Sequence, residues 1–283
     1  MRRCAAGACA AGACACAACA CACACALLLL GGCAGQQAVA PDAVSQEVAQ
    51  GYAEAQLPVV RVLAHHAAHQ RMARTASAVV LSPQRVLTCR HVADDMRSLQ
   101  GTEPLQLVVQ ERQCTATVLR VGPQGWGGDW AVLELGGSAG AVLAPPCAIP
   151  AKEPAAVGNR VLLAGYPTGE QGARVTAAGT VVDVAPDGAM TISGLAAANG
   201  PLEIGTHLAG MSGGAVLRVD QDGTAPVLVG VIAAVKEVTT LWQHEWTVLA
   251  APVPAALLPS AGAPAAAGAQ SSKAKEGHRT GGG

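Results

Sequence analysis

The sequence contains no phenylalanine, and aromatic residues make up only 2% of its 283 positions. Any core must therefore be filled by Val, Leu, Ile and Ala, which is feasible at this length because close packing, not ring content, is what a core requires. Charge is also scarce: 13% of residues are charged and the formal net charge is −1. No basic stripe is present, and this excludes a nucleic-acid binder that neutralises phosphates. Long amphipathic helical patterns between the apolar runs are few, which argues against repeated βαβ units. Cysteine is rare after the first 33 residues, where only Cys89, Cys114 and Cys147 occur. These three allow at most one mutual disulfide, in any of three pairings. No metal-ligand spacing recurs, so neither a metal nor another cofactor is expected. The one histidine cluster, His65, His66 and His69, has no Cys, Asp or Glu close by.

What the sequence does have begins with an apolar N-terminus. "MRR" supplies positive charge, and no further charge appears before Asp42. The other nine cysteines alternate with alanine here, without the turns or polar surface of a disulfide domain. The run ends in "LLLL", followed by Gly31, Gly32 and Cys33. This resembles a bacterial lipobox, which implies lipidation at Cys33, an exported chain in the periplasm or cell envelope, and a lipid anchor in a membrane. A plain cleaved signal or an uncleaved anchor is the alternative, since the run is long enough to cross a bilayer.

The expected organisation is a signal segment at 1–33, a tether at 34–56, an N-terminal β-barrel at 57–140, a C-terminal β-barrel at 141–258 and a disordered tail at 259–283. Between 57 and 250 short Val/Leu/Ile-rich runs are broken by Gly, Pro, Asp and Asn, which reads as strands and turns. "LPVVRVLA", "SAVVL", "RVLTC", "LQLVVQ", "TATVLRV" and "WAVLEL" precede a Pro- and Gly-rich crossover. "RVLLAGY", "ARVTAAGTVVDV", "AMTISGL", "GAVLRV", "PVLVGVIAAV" and "EWTVLA" follow it. Six strands on each side of a linker predict an all-β protein in two similar halves.

The stretch "LAGMSGGAVL" places Ser212 among glycines, which suits a tight turn and equally suits an activated serine. A serine hydroxyl becomes a useful nucleophile only when a base takes its proton and a third group orients that base. Among the histidines, His207 is close in sequence, and His244 and His278 lie near the end. His91 stands apart, at the point where the strand "RVLTC" stops. Asp129 follows two glycines and directly precedes the strand "WAVLEL".

Taken in order, "VLTCRHV", "GGDWAVLEL" and "GMSGGAVL" resemble the trypsin-like serine peptidases, most of all the bacterial HtrA-type branch. The resemblance covers roughly residues 57–250 and implies a double six-stranded antiparallel β-barrel. It implies an endopeptidase in which His91 is the base, Asp129 orients it and Ser212 attacks the scissile carbonyl through an acyl-enzyme. It further implies an oxyanion hole from the N–H groups of Gly210 and Ser212, polypeptide substrates, and a role in envelope protein quality control. A homo-oligomer is a further expectation, since some relatives form trimers.

Departures from the family matter as well. Met211 replaces the aspartate of digestive members, so activation by a newly cut N-terminus is not expected. No peptide-binding PDZ segment follows the barrels in this sequence. Thr206 takes the position that is acidic in trypsin, and Ala233, Ala234 and Val235 match the strand lining the primary pocket. Together they imply a preference for small or medium aliphatic side chains, with His207 as a route to an acidic preference instead. Two rival readings are a barrel that binds without cleaving and an α/β-hydrolase esterase. The latter would use a G-x-S-x-G elbow at Ser212 or at Ser138.

Overall fold

The computed structural model describes residues 43–65, 72–101, 103–136, 147–168, 173–198, 209–220, 225–239, 244–254 and 257. The segment expected to be a signal, with Cys33, the segment expected to be a tail, Thr206, His207 and Ser138 lie outside the described residues.

Twelve strands form two closed antiparallel barrels. The first contains β1 (Val59–His65), β2 (Met72–Ser82), β3 (Arg85–Thr88), β4 (Leu105–Val109), β5 (Arg112–Val121) and β6 (Ala131–Gly136). They pair in the order β1-β2-β3-β6-β5-β4, and β4 closes back on β1 with Val109 opposite Val62. The second contains β7 (Arg160–Gly165), β8 (Val175–Val184), β9 (Met190–Ala197), β10 (Ala215–Arg218), β11 (Val227–Thr239) and β12 (His244–Pro252). Its order is β10-β11-β12-β9-β8-β7, closed where Leu163 faces Val216. Closure removes the unpaired sheet edges that would otherwise invite aggregation. Each strand falls on a run expected from sequence, with six on either side of the crossover. Among the described residues there is no parallel sheet, and a strand, β10, follows Ser212, so the topology rules out an α/β-hydrolase.

The absence of phenylalanine is met by aliphatic packing. In β4, Leu105, Leu107 and Val109 point inward while Gln106 is exposed, the two-residue period of a half-buried strand. One buried cluster runs from the first barrel, through residues such as Leu87 and Leu133, into Leu162, Leu217 and Leu228 of the second. The barrels thus share an apolar interface, while a separate cluster around Leu163, Met190 and Ile232 fills the second barrel. Each fully buried leucine contributes about 2–3 kcal/mol relative to exposure. Part of the crossover acts as a strap: Ala148 N–H donates to Val80 O, and Ala151 N–H donates to Leu228 O, each at 2.8 Å.

Two α-helices complete the described fold. α1 (Ala43–Gly51) lies within the segment expected to be a tether. Ser45 and Ala49 are buried, α1 packs on β8 and β9, and Arg174 donates to the carbonyls of Tyr52 and Ala53 just after it. α2 (Arg90–Gln100) buries Val92, Ala93 and Met96 and ends at Gly101, whose φ of 68° lies in the left-handed region that favours glycine. Among the described residues no helix is long and apolar enough to cross a membrane.

Candidate active site

His91 sits in the first turn of α2, immediately after β3. The strand end beneath it is locked in place. Val86, Leu87, Thr88 and Cys89 are all buried, and Thr88 Oγ1 donates to Ser77 O at 2.8 Å. Cys89 Sγ donates to Ile232 O of the second barrel at 2.9 Å. Burial, reinforced by the nearby Asp129 charge, pushes the Cys89 thiol well above its ordinary pKa despite a hydrogen bond with the Gly213 backbone. It is an inert thiol that packs, not a nucleophile.

Asp129 is presented by a single 3₁₀ turn, Trp126–Gly128, that leads into β6. The two glycines before it are required by space. A Cβ on Gly127 would strike the backbone of Asp187, and one on Gly128 would strike Pro123. Asp187 belongs to the turn between β8 and β9, and its carboxylate accepts the N–H groups of Gly127 at 3.0 Å and Ala189 at 3.1 Å. Those bonds, Gly127 first, hold the Asp187 carboxyl below its ordinary pKa. The second barrel thereby steadies the turn that carries Asp129.

His91 Nδ1 lies 2.7 Å from Asp129 Oδ2, and His91 N–H donates to Asp129 Oδ1 at 3.0 Å. Burial by itself would raise the Asp129 pKa. The hydrogen bonds from the His91 ring and from the backbone N–H groups of His91 and Arg90 outweigh it, and the carboxyl is held below its usual range. An ionised Asp129 accepts from Nδ1–H and so selects the tautomer in which Nε2 is free to take a proton.

Ser212 sits in a loop with two glycines in the left-handed region, Gly210 at φ 96° and Gly213 at φ 84°. At Gly213 a methyl group would meet Ser77 O and Thr88 Oγ1, so this glycine lets the loop press against the first barrel. Ser77 N–H donates to Ser212 O at 2.9 Å, and Gly213 N–H donates to Ile232 O at 2.8 Å. By contrast, the N–H groups of Gly210 and Ser212 donate to no protein acceptor among the described hydrogen bonds. Partly exposed backbone donors left open beside a serine are what an anionic oxygen would require. Met211, between them, is buried in the second barrel's core, so apolar packing anchors the loop where digestive members use an ion pair.

His91, Asp129 and Ser212 line one cleft of about 890 Å³, together with Ala233, Ala234 and Val235 from β11. Ser212 and His91 are not hydrogen-bonded to each other among the described contacts, and such bonds often tighten only around substrate. Trp126 and Trp246 are among the cleft residues that sequence reading did not single out. Trp246 reaches the cleft from β12, where it pairs with Glu237, and Lys236 Nζ stands 5.8 Å from the Trp126 ring centre. Cys89, His91 and Asp129 offer ligand atoms within 4.8 Å of one another. They suit a metal poorly, because each is already engaged and the thiol is buried in its protonated form. Cys89, Cys114 and Cys147 are all free thiols.

Comparison with known proteins gives the following similarities. The chain is similar to the Rv3671c protease from M. tuberculosis in its active form. Identity is 21%, coverage is 75% of this chain and 83% of that one, and the TM-score is 0.46. It is similar to the serine endoprotease from Yersinia pestis at 20% identity, 75% and 63% coverage and a TM-score of 0.44. No curated protein matches the sequence. The family model of the trypsin-like peptidase domain matches residues 76–231, more than half of the chain, from Ala76 within β2 to Val231 within β11. The chain therefore belongs to the trypsin-like peptidase family and is a serine endopeptidase.

Proposed function

We propose that His91, Asp129 and Ser212 are the catalytic triad of this peptidase. His91 Nε2 takes the Ser212 hydroxyl proton as Oγ attacks the scissile carbonyl. The N–H groups of Gly210 and Ser212 hold the oxyanion, and Asp129 stabilises the imidazolium. His91 then returns the proton to the leaving amine, leaving an acyl-enzyme that water hydrolyses through the same base. The observation that carries this reading is the 2.7 Å His91–Asp129 pair sharing one cleft with a serine flanked by unpartnered backbone donors.

The pocket beside Ser212 takes small or medium aliphatic side chains. Ala233, Ala234, Val235 and Trp246 support this choice through an apolar wall, and Thr206 supports it by lacking an acid to pair with Arg or Lys. The working location is the cell envelope. Lipid attachment at Cys33, supported by the lipobox-like sequence, would place the barrels at a membrane surface for the turnover of exported polypeptides. Casein and a mixed peptide library incubated with the chain and with Ser212→Ala test the reading. Cleavage after Ala, Val or Leu by the parent alone is expected. Equal cleavage by the variant, or a preference for Arg and Lys, would contradict it. The anchor is tested separately: Cys33→Ala should move the expressed protein from the detergent phase to the aqueous phase.

A further inference from the structure

Two side chains outside the cleft grip successive carbonyls of the Ser212 loop. Ala209 O accepts from both Thr168 N–H at 2.6 Å and Thr168 Oγ1–H at 2.7 Å. Gly210 O accepts from Ser77 Oγ–H at 2.9 Å, and that same hydroxyl accepts the Tyr166 N–H at 2.8 Å. Ser77 belongs to β2 of the first barrel and is fully buried, whereas Tyr166 and Thr168 follow β7 of the second.

A trans peptide unit is planar, with its C=O and N–H pointing in opposite directions. Fixing the Ala209 carbonyl on Thr168 therefore turns the Gly210 N–H to the opposite side. Ala209 and Ser212 line the cleft and Thr168 does not, so that opposite side is the cleft. The reverse orientation would put a carbonyl oxygen where an oxyanion should form, and it would also break both Thr168 bonds. Gly210 has φ 96° and lies against Tyr166 O and Thr168, so the clamp also needs a glycine there. We infer that Thr168 and Ser77 are positioning residues that hold the Gly210 N–H toward the reacting carbonyl, Thr168 through the Ala209 carbonyl and Ser77 through the Gly210 carbonyl.

This assignment rests on the triad and oxyanion hole proposed above. Its distinctive consequence is that the transition state suffers while ground-state binding does not. Thr168→Val removes the Oγ1 bond at nearly constant volume and keeps the backbone bond, and Thr168→Ser keeps both. For a peptide ester, Thr168→Val should lower kcat by roughly tenfold, as expected for one net hydrogen bond, with KM within about twofold. It should weaken a peptide boronate, which places an oxygen in the hole, by a similar factor. Thr168→Ser should restore both to within about threefold, and Ser77→Ala combined with Thr168→Val should lower kcat further. A Thr168→Val protein with parental kcat and boronate affinity would overturn the assignment, as would a loss that Thr168→Ser shares. Melting temperature is followed for all variants, so that a drop in kcat at unchanged melting separates positioning from unfolding. If the parent itself turns over no ester and Ser212→Ala behaves identically, the triad reading fails, and this one falls with it.

Discussion

Replacing Asp129 by Asn isolates the electrostatic contribution at the site with little change of shape. In the parent, Oδ1 accepts the His91 backbone N–H at 3.0 Å and Oδ2 faces His91 Nδ1 at 2.7 Å. An asparagine has one oxygen, and the backbone N–H groups of His91 and Arg90, which can only donate, claim it. Its NH₂ then faces Nδ1, which must become an acceptor, and the proton moves to Nε2, where it blocks removal of the Ser212 proton. A rate loss of about 10⁴ at neutral pH is expected, the size associated with the wrong histidine tautomer. The same substitution changes the acid limb of stability. Because the folded Asp129 pKa is depressed, its contribution is present above the ordinary carboxylate pKa near 4 and is lost as pH falls through the lower folded value. Asp129→Asn should remove that part of the acid dependence. The assays are ester turnover between pH 6 and 9 and urea unfolding between pH 2 and 6. A variant that folds like the parent yet loses less than tenfold in kcat would refute the reasoning.

Other substitutions probe the supports of the site. Gly213→Ala puts a methyl group at φ 84° against Ser77 O and Thr88 Oγ1, and should cost about 3 kcal/mol or more in urea unfolding. Asp187→Ala removes the carboxylate that holds Gly127 N–H, so kcat should fall several-fold while Asp187→Asn, which keeps an acceptor, falls less. Mapped iodoacetamide labelling of the native chain should modify exposed Cys147 and spare Cys89 and Cys114 until urea is added. Early labelling of Cys89 would mean that the floor beneath His91 opens readily.

Much of this was legible in the sequence because it is written locally. Strands such as β4 announce themselves by alternation, and the two halves by the Pro-rich crossover between them. His91 at a strand end, Asp129 after two glycines and Ser212 in its glycine loop each carry a short motif, and their order along the chain added the rest. What sequence reading missed depends on contacts between distant positions. Ser77 and Gly210 are 133 residues apart, and Asp187 and Gly127 are 60 apart. No local pattern marks a buried serine on β2 or a threonine after β7 as a clamp on another loop. Trp246 looked like any strand residue until β12 placed it on the cleft. The docking of α1 was not legible for a similar reason, since its burial comes from β8 and β9 and not from its own composition.

The most direct test of the central claim is covalent labelling of residues 34–283 and of Ser212→Ala with a fluorophosphonate, with the adduct located by mass spectrometry. The proposed triad predicts one adduct, on Ser212, absent from the variant. A folded parent that takes no label, or takes it on another serine such as Ser138, would contradict it.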